Sequence, residues 1–187
     1  GIVDAMAKKP EFSFTMAHLK DEGMIATSEI ATKIADFTYS KYMRDTRQAL
    51  KDFDDGKDSM LIDDMVNMNI MLTGMVSDLS TGGKQLAVAH NFYDAVCCMY
   101  KDVRRKYLHG EIVAMALPLQ LAVNGRPEAE IEELKAFLRE VGIPVSIREA
   151  GMPQDGLEEL ITYVHRVTIP DDMELLEQIR DGFKYIM

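Results

Sequence analysis

Tryptophan is absent from this chain, cysteine occurs twice and proline six times in 187 residues. The two cysteines are neighbours, Cys97 and Cys98. An ordinary structural bridge between adjacent residues is excluded, and with it a disulfide framework as the source of stability. Both sit in an apolar helical context and read as small core residues of a reduced, cytoplasmic protein. Cationic side chains are in the minority, with 21 Lys and Arg against 31 Asp and Glu, a net charge of −10 and a pI of about 4.9. A surface of that sign repels phosphate backbones and anionic lipid, which argues against nucleic acid and membrane surfaces as partners. No apolar run approaches the roughly 18 residues that would span a bilayer, and no cationic stretch followed by an apolar one opens the chain. Alternation with a period of two is scarce, so little supports a sheet. The chain begins Gly-Ile-Val-Asp without an initiator Met and already inside an apolar helical pattern, which predicts that further residues precede it.

What is present is helical periodicity over nearly the whole length. With 47% hydrophobic residues the chain can bury a substantial core, and we expect one all-α domain over residues 1–187. A short helix is expected over 2–8, stopped near Pro10 because proline disfavours helical geometry in the residue before it. A second is expected over 11–22, ended by Gly23. A long amphipathic helix is expected over 26–54, with Ile30, Ile34, Phe37, Tyr42 and Leu50 on its apolar positions and Asp55-Gly56 as its stop. Ser59 then caps an apolar helix to Leu79 whose methionines, concentrated from Met60 to Met75, read as core filling. After the break Ser80-Thr81-Gly82-Gly83, a helix over 84–106 carries His90. Another runs over 110–123, starting at His109 and kinked at Pro118. Pro127 opens a helix to Val141 that Gly142 closes. Residues 143–147 read as an extended connector, and 157–165 and 170–186 as the last two helices. Asp171 and Asp172 lie at the positive end of the last.

Three residues stand out for their chemistry: Asp4, His90 and His109. One carboxylate and two imidazoles can bind a divalent metal and leave a coordination position open for substrate. Asp94 lies four residues after His90, so it projects from the same helix face, within reach of a substrate or of the outer partners of a metal. Glu111, two residues after His109, can orient an imidazole or favour the helix dipole. Each residue alone also fits a plain role: a surface ion pair for His90 and Asp94, an exposed loop histidine at 109, a solvated carboxylate at 4. His18 and His165 read as helical histidines without ligand function. Lys101, Arg104, Arg105 and Lys106 cluster near a helix C-terminus, where dipole complementarity accounts for them.

Local sequence raises the combination above the parts. Gly-Ile-Val-Asp-Ala-Met-Ala-Lys at 1–8, Asn69-Ile70-Met71-Leu72-Thr73-Gly74 followed by Gly82-Gly83 and Leu86-Ala87-Val88-Ala89-His90, and His109-Gly110-Glu111-Ile112-Val113-Ala114 resemble the metal-binding helical domain of the glycerol dehydrogenase and iron-containing alcohol dehydrogenase family. The stretch from Pro127 to Gly142 is similar to that family's late helices. The resemblance implies the all-α C-terminal fold of the dehydroquinate synthase-like superfamily, with Asp4, His90 and His109 holding Zn2+ or Fe2+. It implies a metal that activates a substrate hydroxyl while hydride passes to NAD or NADP. The substrate would be a small alcohol, diol or hydroxy acid, and exposed helix faces allow a homo-oligomer.

The chain also departs from that family. The iron-dependent branch places a histidine one turn after the aspartate, where this chain has Lys8, so the resemblance implies three ligands rather than four. Some members carry a further His after the middle ligand, where this chain has Asn91, Phe92, Tyr93 and Asp94. The family's N-terminal α/β nucleotide-binding domain has no counterpart here, and Gly82-Gly83-Lys84 lacks the earlier glycine of a phosphate loop and reads as a helix break. No cofactor-binding residue is therefore expected in this chain, and on its own it is expected to be inactive. A dehydroquinate synthase-like carbon-oxygen lyase and a non-catalytic helical fragment are the alternatives. The lyases resemble a Glu at the place of Asp4.

Overall fold

The structure is a computed structural model that describes residues 1–18, 26–80 and 86–187. It divides into two compact units, Gly1–Gln85 and Leu86–Met187. All the regular elements among the described residues are helical. The expectations for Gly23, for the end of the second helix, and for Thr81 to Gln85 fall outside the described residues.

Unit 1 is built on a long spine. The helices α1 (Ile2–Met6) and α2 (Lys8–His18) precede α3 (Ala26–Asp54), which α4 (Met60–Asn67) and α5 (Thr73–Leu79) pack against. Pro10 does not end the first helix. It sits inside the first turn of α2, and the break falls earlier, at Ala7. Having no N–H, Pro10 cannot donate to the Met6 carbonyl, whereas Glu11 N donates to Ala7 O at 3.1 Å and the helix resumes. The turn after α3 runs through Gly56 at φ +66°, and Ser59 caps α4 by accepting from Leu61 N at 3.3 Å.

The face that α3 buries differs from the expected one. Ala31, Ala35, Thr38, Tyr39, Tyr42, Thr46 and Ala49 are inside, while Ile30, Phe37 and Leu50 are exposed. Small side chains let the neighbouring helices approach closely, and Phe12, Ala31, Ala35 and Val76 form a cluster against which Met16, Ile34 and Leu79 pack. The methionine stretch is corrected in the same way. Met65 and Met68 fill the core, but Met60, Met71 and Met75 are exposed, Met60 by 83%. The expected continuous helix from 60 to 79 is interrupted by a wider π turn, Met68–Leu72, which rotates the apolar positions after it away from those before it.

Unit 2 buries more large apolar side chains. Its elements are α6 (Val88–Met99), α7 (Lys101–Lys106), α8 (His109–Met115), α9 (Leu117–Val123), α10 (Glu128–Glu140), α11 (Leu157–Thr168) and α12 (Met173–Gly182), followed by a 3₁₀ turn, Phe183–Tyr185. The single helix expected from 84 to 106 is two, broken at Tyr100 (φ −126°, ψ 64°). Pro118 acts as expected: α8 and α9 meet at Ala116, because the proline leaves Ala114 O without its helical donor. Gly142 closes α10 at φ +81°, and Asp172 caps α12 by accepting from Leu175 N at 2.9 Å. Residues 143–147 form the expected connector, anchored by Ile147 N donating to Ile186 O at 2.7 Å. Phe92, Phe137, Phe183, Ile131, Leu134 and Leu138 are fully buried between these helices. Cys97 and Cys98 are free, but they are not core residues: Cys97 is half-buried and Cys98 exposed.

Candidate metal centre

The helix carrying His90 begins at a point made by a buried amide. Gln120, on α9, accepts from Val88 N at 2.7 Å and Ala89 N at 3.2 Å through Oε1, and its Nε2 donates to Asn124 Oδ1 at 2.9 Å. Two of the N–H groups that every helix start leaves without a partner are thereby satisfied. Asn91 Nδ2 donates to Thr168 Oγ1 at 2.7 Å, which ties α6 to α11 next to His90. His90 itself is half-buried in the first turn of α6.

His109 is the first residue of α8, after an extended Leu108. Glu111 Oε2 accepts from Leu108 N at 2.7 Å, so this carboxylate caps the helix start. It acts on His109 through the backbone. The rings of His90 and His109 lie 5.3 Å apart between centroids and are tilted by 50°, with a nitrogen of each within 4.8 Å of the other. Zn–N bonds of about 2.0 to 2.1 Å let two imidazoles share an ion when their nitrogens stand about 4 Å apart or less. The pair fits that requirement with at most a small side-chain rotation, and imidazole nitrogen suits zinc and iron alike.

Tyr93 completes the neighbourhood. It follows His90 by three residues on α6, and its ring meets that of His109 edge to face at 4.3 Å and 78°. Arg104 Nε donates to the Tyr93 hydroxyl at 3.0 Å, and Arg104 Nη1 donates to Tyr107 O at 3.4 Å. The Cys97 thiol beside the phenol, together with burial, raises the Tyr93 pKa, while Arg104 opposes the shift. The reading of Lys101, Arg104, Arg105 and Lys106 as a dipole-matching cluster is thus incomplete, because Arg104 is engaged with Tyr93.

The other candidates lie as follows. Asp94 is exposed on α6, and its charge helps raise the Tyr163 phenol pKa, behind the larger effect of the Cys98 thiol. Asp4 occupies the first turn of α1 in unit 1, half-buried, and Lys8, one turn further on, is half-buried at the start of α2. His18 Nδ1 and Phe14 O stand 2.9 Å apart within α2, whereas the buried His165 has its Nε2 2.7 Å from Asp172 O and so joins α11 to the start of α12. Sequence reading did not single out Gln120, and it named Tyr93 and Arg104 without linking either to His109. For Tyr93 a signal was available, since three residues after His90 is the same helix face; a Gln 30 residues downstream carries none.

The fold of this chain is shared with solved proteins. A probable glycerol dehydrogenase from Sinorhizobium meliloti 1021 superposes with a TM-score of 0.77 over 98% of this chain and 53% of its own, at 23% identity. Glycerol dehydrogenase from Schizosaccharomyces pombe superposes with a TM-score of 0.76 over 99% of this chain and 49% of its own, at 19% identity. In sequence, glycerol dehydrogenase from Thermotoga maritima is 33% identical over 82 residues, which are 44% of this chain and 21% of that protein. No family model matches the chain. The chain is thus similar to glycerol dehydrogenases, in fold over nearly all of its length and in sequence over 82 residues. It spans about half the length of the solved relatives.

Proposed function

We propose that this chain is the metal-binding catalytic half of a nicotinamide-dependent alcohol or polyol dehydrogenase of the glycerol dehydrogenase type, with Asp4, His90 and His109 as ligands of one Zn2+ or Fe2+. The observation that supports this most directly is the pairing of His90 and His109 across α6 and α8. Asp4 joins them on the strength of the Gly-Ile-Val-Asp motif. One carboxylate and two neutral imidazoles leave one unit of positive charge uncancelled. A divalent ion so held supplies the field that lets a substrate hydroxyl give up its proton near neutral pH. The backbone at His90 and His109 is held because each sits in the first turn of a helix whose start is tied down, by Gln120 for α6 and by Glu111 for α8. Asp94 lies one turn beyond His90 and is assigned contact with the substrate. Glu111 maintains the start of α8.

The substrate class is a small alcohol, diol or hydroxy acid, oxidised as hydride passes to NAD or NADP bound mainly by an α/β domain outside this chain. The chain works as one domain, self-associates through its exposed helix faces and resides in the cytoplasm. No described helix is long and apolar enough to cross a membrane.

Elemental analysis and zinc titration of the 187-residue chain test the site. Asp4→Ala, His90→Ala and His109→Ala should each weaken zinc binding by about 100-fold or more, since three ligands leave no spare. A wild-type chain that takes up no divalent metal overturns the reading. For the full-length protein, nicotinamide absorbance over diols, polyols and 2-hydroxy acids should rise with at least one. Silence with all of them, with turnover of a phosphorylated keto-sugar, would move the protein to the dehydroquinate synthase-like lyases.

A further inference from the structure

Within unit 2, α12 lies close on α9 at Gly182, where a Cβ would stand 2.8 Å from Leu119 Cδ1 and 3.4 Å from Ala122 Cβ. Beside this crossing of two small residues a cavity of about 240 Å³ opens to solvent. Its floor is apolar, made by Ala122, Gly182 and the fully buried Ile131 of α10. Its rim is charged, by Arg126, Asp181 and Lys184. Gly125, at φ +67°, turns the chain after α9, and Arg126 N donates to Leu121 O at 3.0 Å, so the arginine starts from a fixed point at the rim. Its guanidinium pairs with Glu130 through Nε at 2.9 Å and Nη2 at 2.6 Å.

The other two charges at the rim do not satisfy one another. The ion pairs of α12 run from Arg180, to Glu177 and Glu158. Asp181 and Lys184, three residues apart at the end of the helix, form no ion pair among the described residues. The Lys184 ammonium rests over the Tyr185 ring, 4.9 Å from its centroid. A carboxylate and an ammonium at the rim of one small cavity, above an apolar floor, match a ligand that carries both charges and a short aliphatic part. A polyanion would meet Asp181 and Glu130 as well as the cations, and a metal ion would find a single carboxylate among the lining groups. Pockets of roughly 300 to 1,000 Å³ take drug-sized ligands, so this one takes something smaller.

We propose that the cavity between α9, α10 and α12 binds a free aliphatic α-amino acid of about the size of valine. The ammonium of the ligand meets Asp181, its carboxylate meets Lys184 with Arg126 alongside, and its side chain lies on Ala122 and Ile131. Hydrogen bonds between charged groups of this kind are roughly twice as strong as neutral ones. The site shares no residue with the metal centre, and the proposal does not rest on it.

The test is a titration of L-valine into the 187-residue chain, followed at the backbone amide signals of Ala122, Arg126 and residues 178–185. Saturable shifts at those amides are expected, with a dissociation constant on the order of 1 mM for so few ligand atoms. Isobutylamine, which lacks the carboxylate, and isovalerate, which lacks the ammonium, should each bind at least about 10-fold more weakly. Asp181→Asn and Lys184→Met remove one partner each and should weaken valine by at least about 10-fold, whereas Ala122→Leu fills the floor and should abolish the shifts. If Ala122→Leu fails to fold, the two rim variants, both at exposed positions, decide. No saturable shift with valine, alanine or leucine overturns the proposal. Isovalerate that binds as well as valine, or valine that binds the rim variants as well as wild type, does the same. Shifts at these amides that grow with protein concentration and not with valine would make the cavity a contact between copies of the chain and overturn it too.

Discussion

In unit 1 the spine helix α3 buries Ala31, Ala35, Thr38, Thr46 and Ala49 and leaves Phe37 56% exposed, whereas in unit 2 Phe92, Phe137 and Phe183 are each 2% exposed or less. The two interiors differ in how far they rely on small side chains, although unit 1 also buries Phe12, Phe14, Tyr39 and Tyr42. Small residues let helices approach closely but remove little apolar area from water, whereas buried Phe and Leu contribute most of the transfer free energy available to a core. The imidazole pair stands in the unit with the large, interlocked side chains. That suits the role proposed for the pair, because metal ligands must be held to a fraction of an ångström by neighbours that cannot easily shift.

The largest effect should come from truncating unit 2. Phe137→Ala should cost about 3 to 5 kcal/mol in urea unfolding, whereas Phe37→Ala in unit 1 should cost about 0.5 kcal/mol or less. Comparable costs would break the contrast between the two interiors. Gln120→Ala should cost about 1 to 3 kcal/mol, because it leaves the buried Val88 and Ala89 N–H groups without their acceptor. Hydrogen exchange at those two amides should quicken, and unchanged exchange would show that the start of α6 does not need the amide.

Gly182→Ala sharpens the packing argument. A Cβ there would stand 2.8 Å from Leu119 Cδ1 and 3.4 Å from Ala122 Cβ, and Leu119 is fully buried. The helical gain of Ala over Gly, about 1 kcal/mol, is set against overpacking of about 1 to 3 kcal/mol. The expected outcome is a net loss, read as a lower thermal midpoint; a rise in midpoint would show that α9 and α12 pack loosely there.

The smallest effect belongs to unit 1. The Arg44 guanidinium and the Lys41 ammonium beside Asp45 hold its carboxyl well below the usual carboxylate range. The folded pKa is the lower one. The stability Asp45 contributes is therefore fully present above the unfolded carboxylate value near 3.8 and is lost as pH falls below it. Asp45→Asn should cost about 1 kcal/mol or less at pH 7, and the gap from wild type should narrow as pH drops through 3.8 and below. A gap independent of pH would mean that the ion pairs with Lys41 and Arg44 contribute nothing.

How far the chain was legible can be traced through particular residues. The bounds of α3, Ala26 and Asp54, were readable because Asp55-Gly56 supplies a stop and the run before it keeps one period. The caps Ser59 and Asp172 and the bend at Pro118 were readable for the same reason: each depends on a side chain and its own backbone neighbours. The buried face of α3 was not. Hydropathy points to Ile30, Phe37 and Leu50, but how closely a neighbouring helix approaches decides which face goes inside, and α3 buries a face of Ala and Thr with Tyr39 and Tyr42, of which only Tyr42 was expected. The break at Ala7 was missed by a few residues, since a proline acts on the carbonyl four positions earlier, and the break at Tyr100 was not expected at all, because Tyr100 carries no local signal.

The sequence by itself determined the helical class, most caps and stops, and a set of donors, Asp4, His90 and His109, whose local motifs mark them out. Those features depend on side chains within about one turn of each other along the chain, where spacing is enough. Only the tertiary structure decided that the rings of His90 and His109 lie side by side, that Gln120 caps the helix of the first and that Tyr93, bonded to Arg104, meets the ring of the second. Such contacts join residues on different helices, and their existence depends on packing that no local pattern encodes.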